Sequence, residues 1–217
     1  MSEHSKAGAP FVFGISGHRD LVRSDLPELR QHLRMVFERY RERYPDASLE
    51  LLSPLAEGAD RVAAEVALTC RIKVKVPMPM AQPEYECDFT TVESLGEFRR
   101  LLAEASSQWE VSDCSSKQRS LSDNEVRAQK YAAVGEFIAR ESHVLILLWD
   151  GRDNQKVGGT AWVKKRREHW TRVAAQGGAA PDVFGYVGTI QVVTPRATAD
   201  RTTQPRIEIV GDLPATG

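Results

Sequence analysis

Apolar residues recur along the chain at two different spacings, and each change of spacing marks a boundary between elements. Short runs or alternations of apolar residues, the signature of strands, occupy Phe11 to Ile15 (Phe11, Val12, Phe13, Ile15), Leu49 to Ser53, Arg71 to Val76 and Ser142 to Trp149. The last of these, SHVLILLW, is apolar at nearly every position, as a strand covered on both faces requires. Between them apolar residues return every three or four positions. Leu26, Leu29, Leu33, Val36, Phe37, Tyr40 and Tyr44 form one such stripe, which Ser24 can cap and Pro45 ends. A second begins at Gly58 with Ala59, Val62, Ala63, Val66, Ala67 and Cys70, whose small side chains allow close approach to a sheet. Further helices are expected over Thr91 to Ser106 (Val92, Leu95, Phe98, Leu102), after Ser122 with Val126, Val134, Phe137 and Ile138 inward, and over Ala161 to Ala175. Ser122 and Glu125 have the spacing of a capping box. Tyr131 falls on the inward side of that helix as a core tyrosine, with a hydroxyl that could still reach a site at the helix top.

The remaining segments read as loops and edges. The run Pro77-Met78-Pro79-Met80 is expected to stop the third strand, with Ala81 to Asp88 a polar loop. Val111 to Leu121 has no period and is either a mobile loop over a crevice or a surface excursion. Thr189 to Val193 and Arg206 to Val210 are late strands at the sheet edge. Strand and helix in alternation imply right-handed crossovers. The expected class is therefore α/β, a Rossmann-like three-layer fold with a mostly parallel central sheet and helices on both faces. One domain is expected over 11–211, with a flexible N-terminus at 1–10 and a tail at 212–217.

Composition changes this picture little. The chain has 217 residues, 41% of them hydrophobic and 27% charged, enough for a core and too apolar for global disorder. A formal net charge of −1 gives no general attraction to polyanions, which disfavours nucleic acid as a partner. The basic stretch Lys164, Lys165, Arg166, Arg167 with Trp170 and Arg172 is expected to be a solvated helix face. No apolar run is long enough for a membrane helix, and the polar start MSEHSKAGAP lacks a signal-peptide core, so a cytoplasmic location is expected. Cys70, Cys87 and Cys114 are widely spaced, in keeping with a reducing compartment. The histidines, His4, His18, His32, His143 and His169, show no metal-ligand spacing, so no metal site and no cofactor are expected.

Candidate chemistry collects at strand exits, where open α/β sheets bind ligands. After the first strand come Ser16, Gly17, His18 and Arg19; Gly17 admits an anion close to the backbone and Arg19 can pair with phosphate. After the second strand come Glu57, Gly58 and Asp60 at a helix start, where the acids either serve the helix N-terminus or accept ribose hydroxyls. Asp150 and Gly151 follow the central strand. Gly158, Gly159 and Thr160 open the last helix as a phosphate cradle, with Thr160 capping the helix or touching the ligand.

Four stretches in this order, GISGHRD, LAEGADRVAAEVA, ILLWDG and GGTA, resemble the SLOG superfamily, the Rossmann-like group uniting the DNA-processing Smf proteins with the LOG phosphoribohydrolases. The resemblance spans about Phe11 to Ala175. It implies that Ser16, Gly17, His18, Arg19, Glu57, Gly58, Asp60, Asp150, Gly151, Gly158, Gly159 and Thr160 line a site for a nucleotide or nucleotide-derived molecule such as an ADP-ribose-type signal. It implies a sensor module of the kind found in bacterial conflict systems, and leaves a homo-oligomer open. The LOG pattern PGGxGTxxE is replaced here by VGGTAWVKK, which keeps the phosphate cradle and lacks the catalytic glutamate. Ligand binding without bond cleavage is therefore the first reading. The alternative is an N-glycosidic hydrolase of nucleotides, with Glu57, Asp60 or Asp150 as candidate catalytic carboxylates.

Overall fold

The computed structural model describes residues 8–111, 122–153, 155–199, 205–211 and 213–215. Cys114, His4, the first seven residues, all of 112–121 and residues 212, 216 and 217 lie outside these residues. Seven strands form a single sheet in the order β4-β3-β2-β1-β5-β6-β7. They are β1 (Pro10–Gly17), β2 (Ser48–Leu52), β3 (Lys73–Met78), β4 (Ser107–Glu110), β5 (Val144–Trp149), β6 (Gly188–Val193) and β7 (Glu208–Val210). All neighbours are parallel except β6 and β7, which pair antiparallel at one edge. The chain runs outward from β1 to β4, then returns to the other side of β1 to begin β5. That reversal opens a crevice at the carboxyl ends of β1 and β5, which end side by side with Gly17 opposite Leu148.

The helices α1 (Leu26–Arg43), α2 (Ala59–Thr69), α3 (Gln82–Glu86) and α4 (Val92–Glu104) precede β4, and α5 (Asp123–Glu141) and α6 (Thr160–Ala175) follow it. One core joins α1, α2 and α4 to Phe11, Phe13 and Ile15 of β1; another joins α5 and α6 to Leu52, Leu145 and Leu147. Strand β5 feeds both, Val144, Ile146 and Leu148 into the first and Leu145 and Leu147 into the second, and is buried throughout. Its unbroken apolar run thus has the two-sided burial that it implied. The stripe of α1 is equally faithful: Leu29, Leu33, Val36, Phe37 and Tyr40 are buried.

Other expectations need correction. Ser24 does not cap α1; it lies in a 3-10 turn, Arg23–Asp25, and Asp25 takes the N-cap position. Pro77 and Met78 continue β3 instead of stopping it, because Pro77 pairs with Trp109 of the short edge strand β4, which periodicity did not reveal. The supposed polar loop after it contains α3, and Tyr85 there is fully buried with its hydroxyl donating to the Pro54 carbonyl at 3.1 Å. Val92 is 85% exposed and Val126 is also exposed, since each sits in the first turn of its helix beyond the sheet. Ser122 and Glu125 do form the capping box.

The largest correction concerns Arg167. Its neighbours on α6 are solvated or paired, Lys164 with Glu168, Lys165 with Asp153 and Arg166 with Glu136. Arg167 itself is 2% exposed and donates to the carbonyls of Ala139, Ser142, His143 and Gly188. Its guanidinium lies 4.3 Å from the Tyr186 ring centre. Two of these carbonyls belong to the end of α5, where a positive charge meets the negative pole of the helix. Burial lowers the Arg167 pKa to about 10, which leaves it charged at neutral pH. It ties the end of α5 to the entry of β5 and β6.

Replacing Arg167 with Met removes the side-chain donor from four carbonyls, of which His143 keeps the Val187 amide, and each buried carbonyl left unpaired costs about 1–3 kcal/mol. Urea unfolding of Arg167→Met should show a loss of about 3 kcal/mol or more, while Lys165→Met on the exposed face should stay within about 0.5 kcal/mol of the parent. Equal effects of the two would remove Arg167 from this role.

Candidate functional site

The crevice at the switch point contains a cavity of about 400 Å³, within the usual range for small-molecule sites. Three turns build its rim. The first is the exit of β1, where His18 is 7% exposed and acts as a connector. Its amide donates to the Leu148 carbonyl at 2.9 Å, its carbonyl accepts from the Ala59 amide at 2.9 Å, and its Nε2 accepts from the Asp150 amide at 3.0 Å. That last bond requires an unprotonated Nε2. Burial lowers the His18 pKa, in keeping with a neutral ring, although the Asp150 carboxylate lies 3.2 Å away and pulls the other way.

Glycine is required at two points of this junction. A Cβ on Gly17 would come within 2.5 Å of the Ala59 side chain and of the Leu148 carbonyl. Gly58 has φ +78°, and a Cβ there would come within 2.4 Å of the carbonyl oxygens of His18 and Arg19. The start of α2 is therefore seated directly on the first turn. The second turn is braced by groups that sequence reading did not single out. Ser53 Oγ donates to the Asp60 carbonyl, and buried Arg61 donates through Nε to Leu55, whose φ is +58°, and through Nη1 to Glu97 at 2.8 Å.

Eight of the twelve candidate residues line the cavity: Ser16, Gly17, His18, Arg19, Asp60, Gly158, Gly159 and Thr160. Ser16 Oγ stands 3.5 Å from Thr160 Oγ1, joining the first turn to the start of α6. Thr160 is the first helical residue; Gly159 takes the N-cap position without a side-chain cap. Four candidates serve elsewhere. Glu57 accepts a hydrogen bond from Ser94, Gly58 is spent on the backbone junction, Asp150 accepts from the Arg152 amide at 3.0 Å, and Gly151 is exposed with φ +84°. Of the three candidate carboxylates, only Asp60 faces the cavity.

The electrostatics of the cavity are mixed. Arg19 is exposed, lies 5.4 Å over the Tyr131 ring, and has no ion-pair or hydrogen-bond partner among the described residues. Arg196 also lines the space and pairs with Asp20 at 2.9 Å; it arrives from a loop after β6 that no local pattern marks. Asp60 is 6% exposed, and burial pushes its carboxyl up to about 7 against the opposing pull of Arg19, the Ala56 amide and Arg61. Asp88, Arg127 and Tyr131 complete the lining. Arg127 and Tyr131 stand four residues apart on α5, a spacing that puts both on one face. Among the described residues no cluster of His, Cys, Asp or Glu suits a metal ion, and no helix is long and apolar enough to cross a membrane.

Neither a family model nor a curated protein matches the chain. Among solved structures it is similar to DNA processing protein A (DprA) of Streptococcus pneumoniae, at 16% identity and a TM-score of 0.48, covering 75% of this chain and 48% of that one. This chain thus spans about half the length of the Streptococcus protein. It is also similar to DNA processing protein A of Helicobacter pylori, at 14% identity and a TM-score of 0.44, covering 81% of this chain and 76% of that one. The Helicobacter structure is described by its single-stranded DNA binding mode. That finding corrects the expectation that nucleic acid is disfavoured. Net charge sums over the whole surface, whereas attraction to a polyanion depends on where the cations stand.

Proposed function

We propose that the cavity at the carboxyl ends of β1 and β5 binds a nucleotide or nucleotide-derived small molecule through its phosphate, and that the domain is a ligand-sensing module. The observation that carries this reading is the placement of Arg19 and the Gly158-Gly159-Thr160 helix start on one cavity. The start of a 16-residue helix directs free N–H groups and a positive pole into that space. Arg19 adds a guanidinium without a carboxylate partner among the described residues, suited to two-pronged pairing with a phosphate. Ser16 and Thr160 supply hydroxyls between them.

The second reading, hydrolysis of an N-glycosidic bond, has one specific support. A carboxyl with a pKa near 7 facing a cleft has the protonation state a general acid needs, and Asp60 is the candidate that has it. Glu57 and Asp150, engaged outside the cavity, are dropped from that role.

Calorimetry against the ribonucleoside mono- and diphosphates, ADP-ribose and a single-stranded oligonucleotide tests the first reading. At least one small nucleotide should bind, and Arg19→Ala and Thr160→Val should each weaken it about tenfold or more, a change of about 1.4 kcal/mol. Lys164→Ala, on the outward face of α6, should bind like the parent. Unaltered binding in both cavity variants would place the ligand elsewhere.

Affinity for such an anion should fall as pH rises through about 7, because Asp60 then gains a negative charge inside the cavity. Asp60→Asn should remove this fall, leaving only the ligand's own titration. The same panel, followed by chromatography for free base, decides the hydrolase reading: release by the parent that Asp60→Asn abolishes would establish it, and no release from any nucleotide would end it.

A further inference from the structure

Beside the residues assigned to the phosphate, the cavity lining carries two buried polar atoms that the described residues leave without partners. The Tyr131 hydroxyl and Asp88 Oδ2 are both buried, and neither has a hydrogen-bond partner among the described residues. Buried polar groups are almost always paired, so two orphans on the wall of one cavity point to partners supplied from outside the chain. The arrangement around them is built. Arg127 ion-pairs with Asp88 through Oδ1, which leaves Oδ2 as the open acceptor and neutralises the carboxylate toward an incoming anion. Arg127 sits one turn before Tyr131 on the same face of α5, so one helix face presents both the phenol and the arginine that holds Asp88. The Tyr131 ring has the Arg19 guanidinium 5.4 Å from its centre and the Tyr85 ring edge-on to it at a centroid distance of 6.2 Å.

The distance from the phosphate end narrows the chemistry. A Cβ on Gly158 would lie 3.3 Å from the Tyr131 carbonyl carbon, so the backbone of Tyr131 abuts the glycine turn that opens α6. Its hydroxyl therefore lies no farther than about one tyrosine side chain from that turn, within the reach of a ribose whose 5′-phosphate sits there. A carboxylate oxygen accepts from a sugar hydroxyl, and a phenol both donates to and accepts from the neighbouring one.

We propose that Asp88 and Tyr131 form a ribose subsite that reads the 2′- and 3′-hydroxyls and selects ribonucleotides over deoxyribonucleotides. This deepens the nucleotide-binding reading and rests on it. A 2′-hydroxyl is the group that separates the two sugars, and a site that pairs it rejects the sugar lacking it because its own buried groups are then left unpaired.

The test is calorimetry of the full chain with the four ribonucleoside 5′-diphosphates and their 2′-deoxy counterparts. The parent should bind a ribonucleotide at least tenfold more tightly than its deoxy form. Tyr131→Phe, which keeps the ring and removes only the hydroxyl, should narrow that ratio to about twofold, and Asp88→Asn should narrow it likewise, with far-ultraviolet circular dichroism confirming that both variants fold. Equal binding of ribo and deoxy forms by the parent overturns the subsite and leaves the nucleotide reading standing. A parental preference that neither variant reduces also overturns it, since the hydroxyls are then read elsewhere. No binding of either series overturns the nucleotide reading, and the subsite with it.

Discussion

One buried residue, His18, holds the rim of the cavity together through its backbone and its ring. His18 joins the exit of β1 to the exit of β5 through the Leu148 carbonyl and the Asp150 amide, and to the start of α2 through the Ala59 amide. These bonds span up to 132 positions in sequence and meet within one residue. A neutral ring accepting at Nε2 is the state that fits the Asp150 bond, and burial favours that state. Gly17 and Gly58 make the meeting possible, since any side chain there would strike the backbone or side chain opposite. The histidine that would serve a ligand in a wet loop is here a structural pin, and Arg19 beside it is the side chain left free to act.

With the rim fixed, charge divides the interior. The start of α6 and Arg19 make the cavity attractive to an anion, while Asp60 and Asp88 add acids to the same lining. Neither acid presents a full uncompensated negative charge at neutral pH. Asp60 is held near its titration midpoint by burial, and Asp88 is paired with Arg127. The cavity can thus combine phosphate attraction with carboxylate acceptors, a combination that two ionised and unpaired carboxylates would defeat by repulsion.

The candidate site was legible where chemistry depends on local order. Ser16 to Arg19 and Gly158 to Thr160 carry their own turn and helix-start signals, and both reach the cavity. Legibility failed where the role of a residue depends on what lies across from it. Glu57 and Asp150 have the right chemistry at the right strand ends, yet Ser94 and the Arg152 amide engage them outside the cavity. Asp88 and Arg127 were invisible because an ion pair across 39 positions leaves no periodic trace. Arg167 was misplaced for a related reason: a basic run on a helix looks uniformly solvated, and only the packing of α6 on β5 and β6 turns one of its members inward.

What the sequence determined unaided is most of the succession of strands and helices, the two-sided burial of β5 and the turns at the strand exits, because apolar spacing and glycine placement act over a few residues at a time. It missed β4 and α3, whose short lengths carry too few repeats to establish a period. The tertiary structure alone decided which acids face the cavity, which arginine is buried and which polar atoms lack a partner. Those outcomes depend on desolvation and on pairing between residues distant in the chain, and neither quantity exists until the chain has folded.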